Sequence, residues 1–256
     1  MEDIARQVKN GVVLAELGGY SDGKFCALHG KGSAMVMLGT FIVSSGKVDY
    51  PRDFVFMPGR DSYFSYLKHN IGEAGKSGAK TGVSVVSVQD DDNIDFLLAA
   101  GEAGADYVSY CAHSTMRIFM ETGTSSAMLL RKNWKALERL TSRLLKKITV
   151  PLIFKIGAFD NEDIADSIGF LKDLGVRIFH INIIDNLPHS KGIGFLDGLE
   201  KEGLFIIAGG GINDIDGAKR ILEHGADAVA IGNAAIRDPG ICRRIQDGLQ
   251  ARENDY

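Results

Sequence analysis

The feature that most constrains the fold is a series of eight short apolar runs, rich in β-branched residues, with helical patterns between them. The runs lie at 12–15, 34–38, 82–88, 106–110, 151–155, 177–182, 204–208 and 228–231. Most are continuously apolar rather than alternating, which is typical of strands covered on both faces in a parallel sheet. Strict alternation of strands and helices predicts a closed (β/α)₈ TIM barrel, and 256 residues suit one such domain.

An open, doubly wound sheet is the alternative architecture, but the turn after the first run lacks the GxGxxG pattern that such sheets usually carry. No Pro- or Ser-rich linker interrupts the chain, so we expect residues 1–256 to form a single domain. The longest connection joins the second and third strands over about 39–81, with a helix near 61–75. A connection of this length is either a lid over a binding site or a decoration of the barrel.

Charge and cysteine content narrow the range of partners. The formal charge of −4 gives no overall attraction to nucleic acid. Basic residues between 131 and 147 lie on one side of an amphipathic helix, which favours a solvated face. The three cysteines are widely spaced, which predicts neither disulfides nor a metal site. Without an apolar leader or a long apolar segment, we expect a cytoplasmic protein with no membrane span.

Glycines cluster after the last two predicted strands. Gly209, Gly210 and Gly211 follow the seventh run, and Gly232 with Asn233 follows the eighth. Because glycine has no Cβ, backbone N–H groups there can approach an anion, and loops at this position of a TIM barrel commonly hold a phosphate. Tight turns without a ligand are the alternative, but tandem glycines matched on the next strand favour phosphate.

Polar residues also stand at the carboxyl ends of the predicted strands, where TIM barrels carry their catalytic groups. Glu16 ends the first strand, Lys155 ends the fifth, and His180 with Asn182 ends the sixth. A lysine that closes an apolar run is costly to bury unless it meets an anion or an electron-rich ring. Glu16 could be a general base, a hydroxyl acceptor or the salt-bridge partner of Lys155. His180 could be a ligand contact or a core histidine.

Six segments, taken in order, carry a resemblance to a known family. They are LAELGGYSDGKF (14–25), GADYVSYCAHS (104–114), PLIFKIG (151–157), IFHIN (178–182), IIAGGGI (206–212) and GADAVAIGNAA (225–235). Together they resemble the FMN-binding barrel of tRNA-dihydrouridine synthases and dihydroorotate dehydrogenases, and are nearest to the synthases. The resemblance implies an FMN whose ring lies over the barrel mouth and whose phosphate rests on the glycine loops. The cofactor-binding residues it implies are Ala15, Glu16, Leu17, Lys155, His180, Gly209, Gly210, Gly211, Gly232 and Asn233.

The chain departs from the synthase pattern at its catalytic position. Ser114 aligns with the synthases' cysteine acid, and His113 beside it is a plausible substitute, so these two are the candidate catalytic residues. Gly157 stands where the family has arginine. The chain also ends a short helix after the eighth strand, without the synthases' tRNA-binding domain, so tRNA is a doubtful substrate. A homo-oligomer is compatible with the sequence.

Three functions remain open at this point. The first is an FMN-dependent oxidoreductase that acts on a C=C bond of a small or pyrimidine-like substrate. The second is a non-redox isomerase, lyase or synthase whose glycine loops hold the phosphate of its own substrate. The third is a flavin-binding protein that has lost the family chemistry, which the missing cysteine and arginine would explain.

Overall fold

The computed structural model describes residues 2–158, 163–183 and 189–251. The described strands are β1 (Val12–Leu14), β2 (Met35–Val43), β3 (Val55–Phe56), β4 (Lys80–Ser87), β5 (Tyr107–Ala112), β6 (Leu152–Gly157), β7 (Ile178–Asn182), β8 (Phe205–Gly209) and β9 (Ala228–Ile231). Parallel strands close into a barrel in the order β1-β9-β8-β7-β6-β5-β4-β2, and β1 pairs with both β9 and β2. The predicted (β/α)₈ TIM barrel is confirmed.

Helices lie between the barrel strands on the outside. They are α1 (Glu2–Val8), α2 (Gly23–His29), α3 (Phe64–Ala74), α4 (Asp90–Glu102), α5 (Arg117–Thr122), α6 (Trp134–Lys147), α7 (Asp163–Leu174), α8 (His189–Asp197), α9 (Ile215–Glu223), α10 (Asn233–Arg237) and α11 (Ile241–Gln250). On α6, Arg139 and Arg143 pair with carboxylates at the start of α4, so part of its basic face is neutralised by a neighbouring helix. Within the described ranges, no helix combines the length and apolarity needed to cross a bilayer.

The connection after the second strand differs from the sequence prediction. The strand continues past Leu38 to Val43, because an irregularity in its pairing with β4 absorbs Gly39 and Thr40. Farther along, the two-residue strand β3 pairs with the end of β2, beyond the point where β1 stops. The predicted 39–81 connection therefore contributes strand residues to the sheet at its beginning, its middle and its end.

Two apolar layers hold the barrel together. Residues such as Val12, Phe154 and Ile206 point outward and pack against the helices. Residues of alternate register, including Val13 and Ile207, fill the lower interior, and α1 closes that end with apolar side chains. Side chains alternate between the two faces of a strand, so the polar residues near the strand ends point into the upper interior. The site therefore lies at the carboxyl ends of the strands.

Candidate functional site

Three ionisable side chains meet at the floor of the barrel mouth. Lys155 on β6 and His180 on β7 are paired in register, so their side chains lie beside each other in the interior. Glu16 follows β1 and reaches both of them. Its carboxylate lies 3.4 Å from Lys155 Nζ and 3.3 Å from His180 Nδ1. The salt bridge between Glu16 and Lys155, one of the roles left open by the sequence, is present in the structure.

The three side chains of this cluster are almost fully buried. The Glu16 side chain is 0% exposed, and those of Lys155 and His180 are 9% and 4% exposed. Burial alone would raise the pKa of Glu16, but the adjacent Lys155 and His180 outweigh it and hold that pKa well below its ordinary value. Burial lowers the pKa of His180 despite the neighbouring carboxylate. Glu16 is therefore ionised and His180 neutral near neutral pH.

The segment that carries Glu16 is fixed on both sides. Ala15 N–H donates to the carbonyl of Ile231 at 2.9 Å, which ties the end of β1 to the end of β9. Leu17 N–H donates to Ser21 Oγ at 2.9 Å. The carboxylate oxygens of Glu16 have no partner of hydrogen-bond geometry among the described residues. The segment is thus held by backbone hydrogen bonds on both sides, while its carboxylate depends on the contacts with Lys155 and His180.

The glycines after β8 and β9 form a cup at one side of the mouth. Gly210 and Gly211 have φ angles of 130° and 71°, in the region that favours glycine. A Cβ at Gly209 would lie 2.6 Å from the carbonyl oxygen of Ala230, so the two strand ends approach too closely for a side chain there. The short helix α10 begins at Asn233, directly after Gly232. At Gly210, Gly211 and Gly232 no Cβ therefore stands between the backbone and the cup.

The cup continues into a first cavity of about 280 Å³ that runs over the ionisable cluster. All ten residues that the resemblance assigned to the cofactor line this cavity: Ala15, Glu16, Leu17, Lys155, His180, Gly209, Gly210, Gly211, Gly232 and Asn233. The first and last of these residues, Ala15 and Asn233, are 218 positions apart in the sequence, and the closed barrel brings all ten to one rim. One cavity thus joins the glycine cup to the buried Lys155.

A second cavity of about 360 Å³ adjoins the first, and both are lined by Glu16, Leu17, Lys155 and Asn182. Apolar Ile42, Val86 and Met116 form part of its wall, together with the polar side chains of Thr40 and Tyr50. The candidate catalytic residues His113 and Ser114 and the thiol-bearing Cys111 complete it. The mouth therefore offers two adjoining compartments, and the predicted catalytic residues belong to the compartment without the glycine cup.

His113 and Ser114 differ in their readiness for proton transfer. Burial and, next, the charge of Lys155 lower the pKa of His113 to about 3, so its imidazole is neutral at physiological pH. Ser114 Oγ accepts the backbone N–H of Met116 at 3.3 Å, which is a local turn contact. The serine has no adjacent base hydrogen-bonded to its hydroxyl among the described residues, so His113 is the stronger acid–base candidate.

The sequence analysis gave no role to Asn182, which lies two residues after His180 on β7 and hence on the same face, and it missed two further residues that the structure brings to the site. Arg237 lines the cup one helical turn after Asn233, and that spacing was also visible. Tyr50 reaches the second cavity from the 39–81 connection, and its hydroxyl donates to the Thr40 carbonyl at 3.0 Å. No local pattern indicates this last contact.

Comparison with known sequences gives partial matches. The family model described as "Histidine biosynthesis protein" matches residues 157–253, from the end of β6 to beyond α11. The imidazole glycerol phosphate synthase subunit HisF of Staphylococcus saprophyticus is 25% identical over 138 residues, which is 49% of this chain and 51% of that protein. The catalytic subunit of dihydroorotate dehydrogenase B from Thermotoga petrophila is 40% identical over 42 residues, 16% of each chain. The chain thus spans about half the length of the first of these relatives.

Comparison with solved structures covers almost the whole barrel. Ligand-free DHODH from Eimeria tenella superposes with a TM-score of 0.70 at 16% identity, covering 94% of this chain and 84% of that one. A variant of NCR from Zymomonas mobilis gives a TM-score of 0.68 at 12% identity, covering 93% and 86%. At this level of identity the likeness establishes the fold. None of the relatives named here is a dihydrouridine synthase.

Proposed function

We propose that this protein is an FMN-dependent oxidoreductase that transfers a hydride to or from a C=C bond of a small, pyrimidine-like substrate. The observation that carries the proposal is the pair of adjoining cavities with Lys155 on the wall between them. A redox enzyme of this kind must hold a cofactor and a substrate side by side, and the two compartments meet that need. The superposition on DHODH adds support at the level of the fold.

The residues present fit an FMN in the first cavity. A phosphate dianion needs several N–H donors and a cation, and the cup supplies backbone N–H groups with the Arg237 guanidinium at its rim. Arg237 makes no ion pair with any described residue, so its charge is available. At the other end, Lys155 would face the pyrimidine edge of the ring, where a cation stabilises the anionic reduced form. Ala15, Glu16 and Leu17 would pass beside the ring.

The buried cluster would hold Lys155 in position for that task. Glu16 holds the Lys155 ammonium group at 3.4 Å, so little reorganisation is needed when negative charge develops nearby. His180 remains neutral and contacts the opposite oxygen of Glu16, which leaves Lys155 as the cation of this cluster. FMN, when bound, would supply the hydride acceptor or donor that no side chain provides.

The second cavity would bind the substrate and manage its proton. The apolar part of the wall would pack against the substrate ring, and Thr40 and Asn182 would hydrogen-bond a ring carbonyl or N–H group. His113 would take up the substrate proton on oxidation and return it on reduction, with Ser114 as the other candidate. A negatively charged ligand beside Lys155 would offset part of the positive field that lowers the pKa of His113. Ligand binding would therefore raise that pKa toward neutral pH, where the imidazole can exchange a proton.

A titration of the purified protein with FMN and with riboflavin tests the proposal. Quenching of flavin fluorescence is expected for both, with FMN bound at least about tenfold more tightly because only FMN carries the phosphate. Bound FMN, reduced anaerobically, should then be reoxidised by an unsaturated pyrimidine such as uracil. A protein that binds neither flavin contradicts the proposal. A protein that binds FMN but passes electrons to none of the unsaturated acceptors offered is a flavin-binding protein without the chemistry.

A non-redox reaction on a phosphate ester is the second candidate. It is favoured by the match of residues 157–253 to the histidine biosynthesis family, since that segment carries the whole glycine cup. In this case the cup would hold the phosphate of the substrate, with Glu16 and Lys155 as base and acid. Calorimetry with inorganic phosphate and with glycerol 3-phosphate separates the two candidates. Ester binding without flavin binding supports the second.

A further inference from the structure

A hydrogen bond crosses the barrel mouth from β5 to β7 over the end of β6. His113 Nε2 and Asn182 Nδ2 lie 3.2 Å apart, although 69 positions separate them in the sequence. Gly157 is paired in register with Asn182 and lies between the two strands. Gly157 lies on the inward face of the barrel, two residues after Lys155, and as a glycine it places no side chain there. The glycine that replaces the arginine of the resembled family therefore leaves the space that this contact uses.

We propose that Asn182 is a positioning residue that keeps His113 neutral, with its proton on Nδ1 and its Nε2 lone pair directed at the Asn182 amide. An amide nitrogen can only donate, so the imidazole nitrogen facing it must accept. A doubly protonated imidazole would place an N–H against that donor, which requires the amide to rotate. The contact thus selects one of three protonation states of His113.

The surrounding charges act in the same direction as Asn182, with one exception. Lys155 from β6 disfavours a positive charge on His113, as His180 from β7 does once it is protonated, and Glu16 after β1 favours that charge. The Cys111 thiol and the Tyr50 hydroxyl line the same cavity and are uncharged at neutral pH, because burial raises the pKa of both. Asn182 is the group among these that contacts the ring nitrogen directly and also lines the first cavity.

This assignment changes what His113 can do, if the proposed function holds. A neutral imidazole with its proton on Nδ1 can accept a further proton at Nε2 only after the Asn182 contact is released. Asn182 also borders the cofactor compartment, so a ligand there that engages the amide would free Nε2. Asn182 would in this way connect occupancy of the first cavity with the basicity of His113 in the second.

Nuclear magnetic resonance of the imidazole nitrogens, on the protein without flavin or substrate, tests the inference. The His113 signals are identified by their loss in His113→Gln. In the wild type, the expected pattern is a protonated Nδ1 and an unprotonated Nε2. Asn182→Asp places a carboxylate at the same point and should raise the titration midpoint of His113 by about two to three pH units.

Asn213→Asp is the matched control, because Asn213 lines the first cavity beside the glycine cup. The same change of charge at Asn213 should move the titration midpoint of His113 by less than about half a pH unit, because solvent screens the charge over the longer distance. A wild-type proton on Nε2 overturns the inference without any variant. An equal shift in both aspartate variants also overturns it, since charge alone would then account for the effect. The flavin titration is independent, so failure of the proposed function leaves this result interpretable.

Discussion

Replacing Lys155 with methionine tests whether the buried cluster has the energetics that the site requires. The substitution keeps the length and apolar stem of the side chain and removes only its charge. The Glu16 carboxylate, which is 0% exposed, then loses its strongest partner and keeps the contact with His180. At a separation of 3.4 Å and an effective dielectric constant of about 20, the lost attraction is about 5 kcal/mol. Since His180 compensates in part, we expect a loss of stability of about 3–5 kcal/mol.

The pH dependence of this loss has a definite sign. In the wild type, the pKa of Glu16 lies below its ordinary value of 4.5, so its charged form stabilises the fold above that pH and the benefit is lost on acidification. Without Lys155, burial dominates and raises the pKa of Glu16, so the carboxylate destabilises the fold at neutral pH. The pKa of His180 rises too, because a repelling cation is gone. The penalty of the substitution should therefore shrink as the pH falls.

A double-mutant cycle in urea unfolding measures the interaction. Lys155→Met, Glu16→Gln and the double variant are compared with the wild type at pH ~8 and pH ~5, and the coupling energy is expected to be at least about 2 kcal/mol at the higher value. The double variant should be more stable than Lys155→Met alone, because no uncompensated charge remains. Additive single effects, or a penalty that grows on acidification, would refute the account of the cluster.

Three further results are expected. Arg237→Gln should weaken FMN binding about three- to tenfold and leave riboflavin binding unchanged. Arg220 is an exposed arginine on α9 outside the cavity, so Arg220→Gln should change the binding of neither flavin. Equal losses of affinity for both flavins in Arg237→Gln would contradict this role. The lowered pKa of His113 should make the free energy of unfolding fall by up to about 1.4 kcal/mol per pH unit as the pH drops from 6.5 toward 4.5, because the unfolded state binds the proton first. His113→Gln should flatten that slope in urea unfolding at several pH values. An unaltered slope would contradict the expectation. Gly72→Ala has open space on α3 and should stabilise the protein by about 0.5–1 kcal/mol, whereas Gly209→Ala should destabilise it by about 1–3 kcal/mol; the reverse order in thermal unfolding would contradict the strand-end packing.

Features encoded locally were predictable from the sequence. Each apolar run is a few residues long, and burial on both faces of a strand marks it without reference to the rest of the chain. The glycine cup is equally local, because tandem Gly210 and Gly211 permit a backbone that other residues strain. The predicted end of the second strand at Leu38 was wrong because a local pattern marks Gly39 as a strand end. Only the pairing with β4, which is not a local feature, carries the strand onward.

Contacts made across the barrel were not predictable. Three roles for Glu16 were consistent with the sequence, and only the closed geometry places its carboxylate between Lys155 and His180. The approach of His113 to Asn182 depends on the spacing of three strands and on the glycine between them. Tyr50 reaches the second cavity from a long connection whose path no periodicity determines. Side-chain contacts between distant strands require the barrel itself.

A crystal structure of the protein with FMN is the measurement that tests the central claim most directly. We expect a phosphate within hydrogen-bond distance of the backbone N–H groups at Gly210, Gly211 and Gly232, with the ring over the Glu16 segment and its pyrimidine edge against Lys155. An FMN bound elsewhere on the protein, or a phosphate in the cup whose ring points away from Lys155, would contradict it.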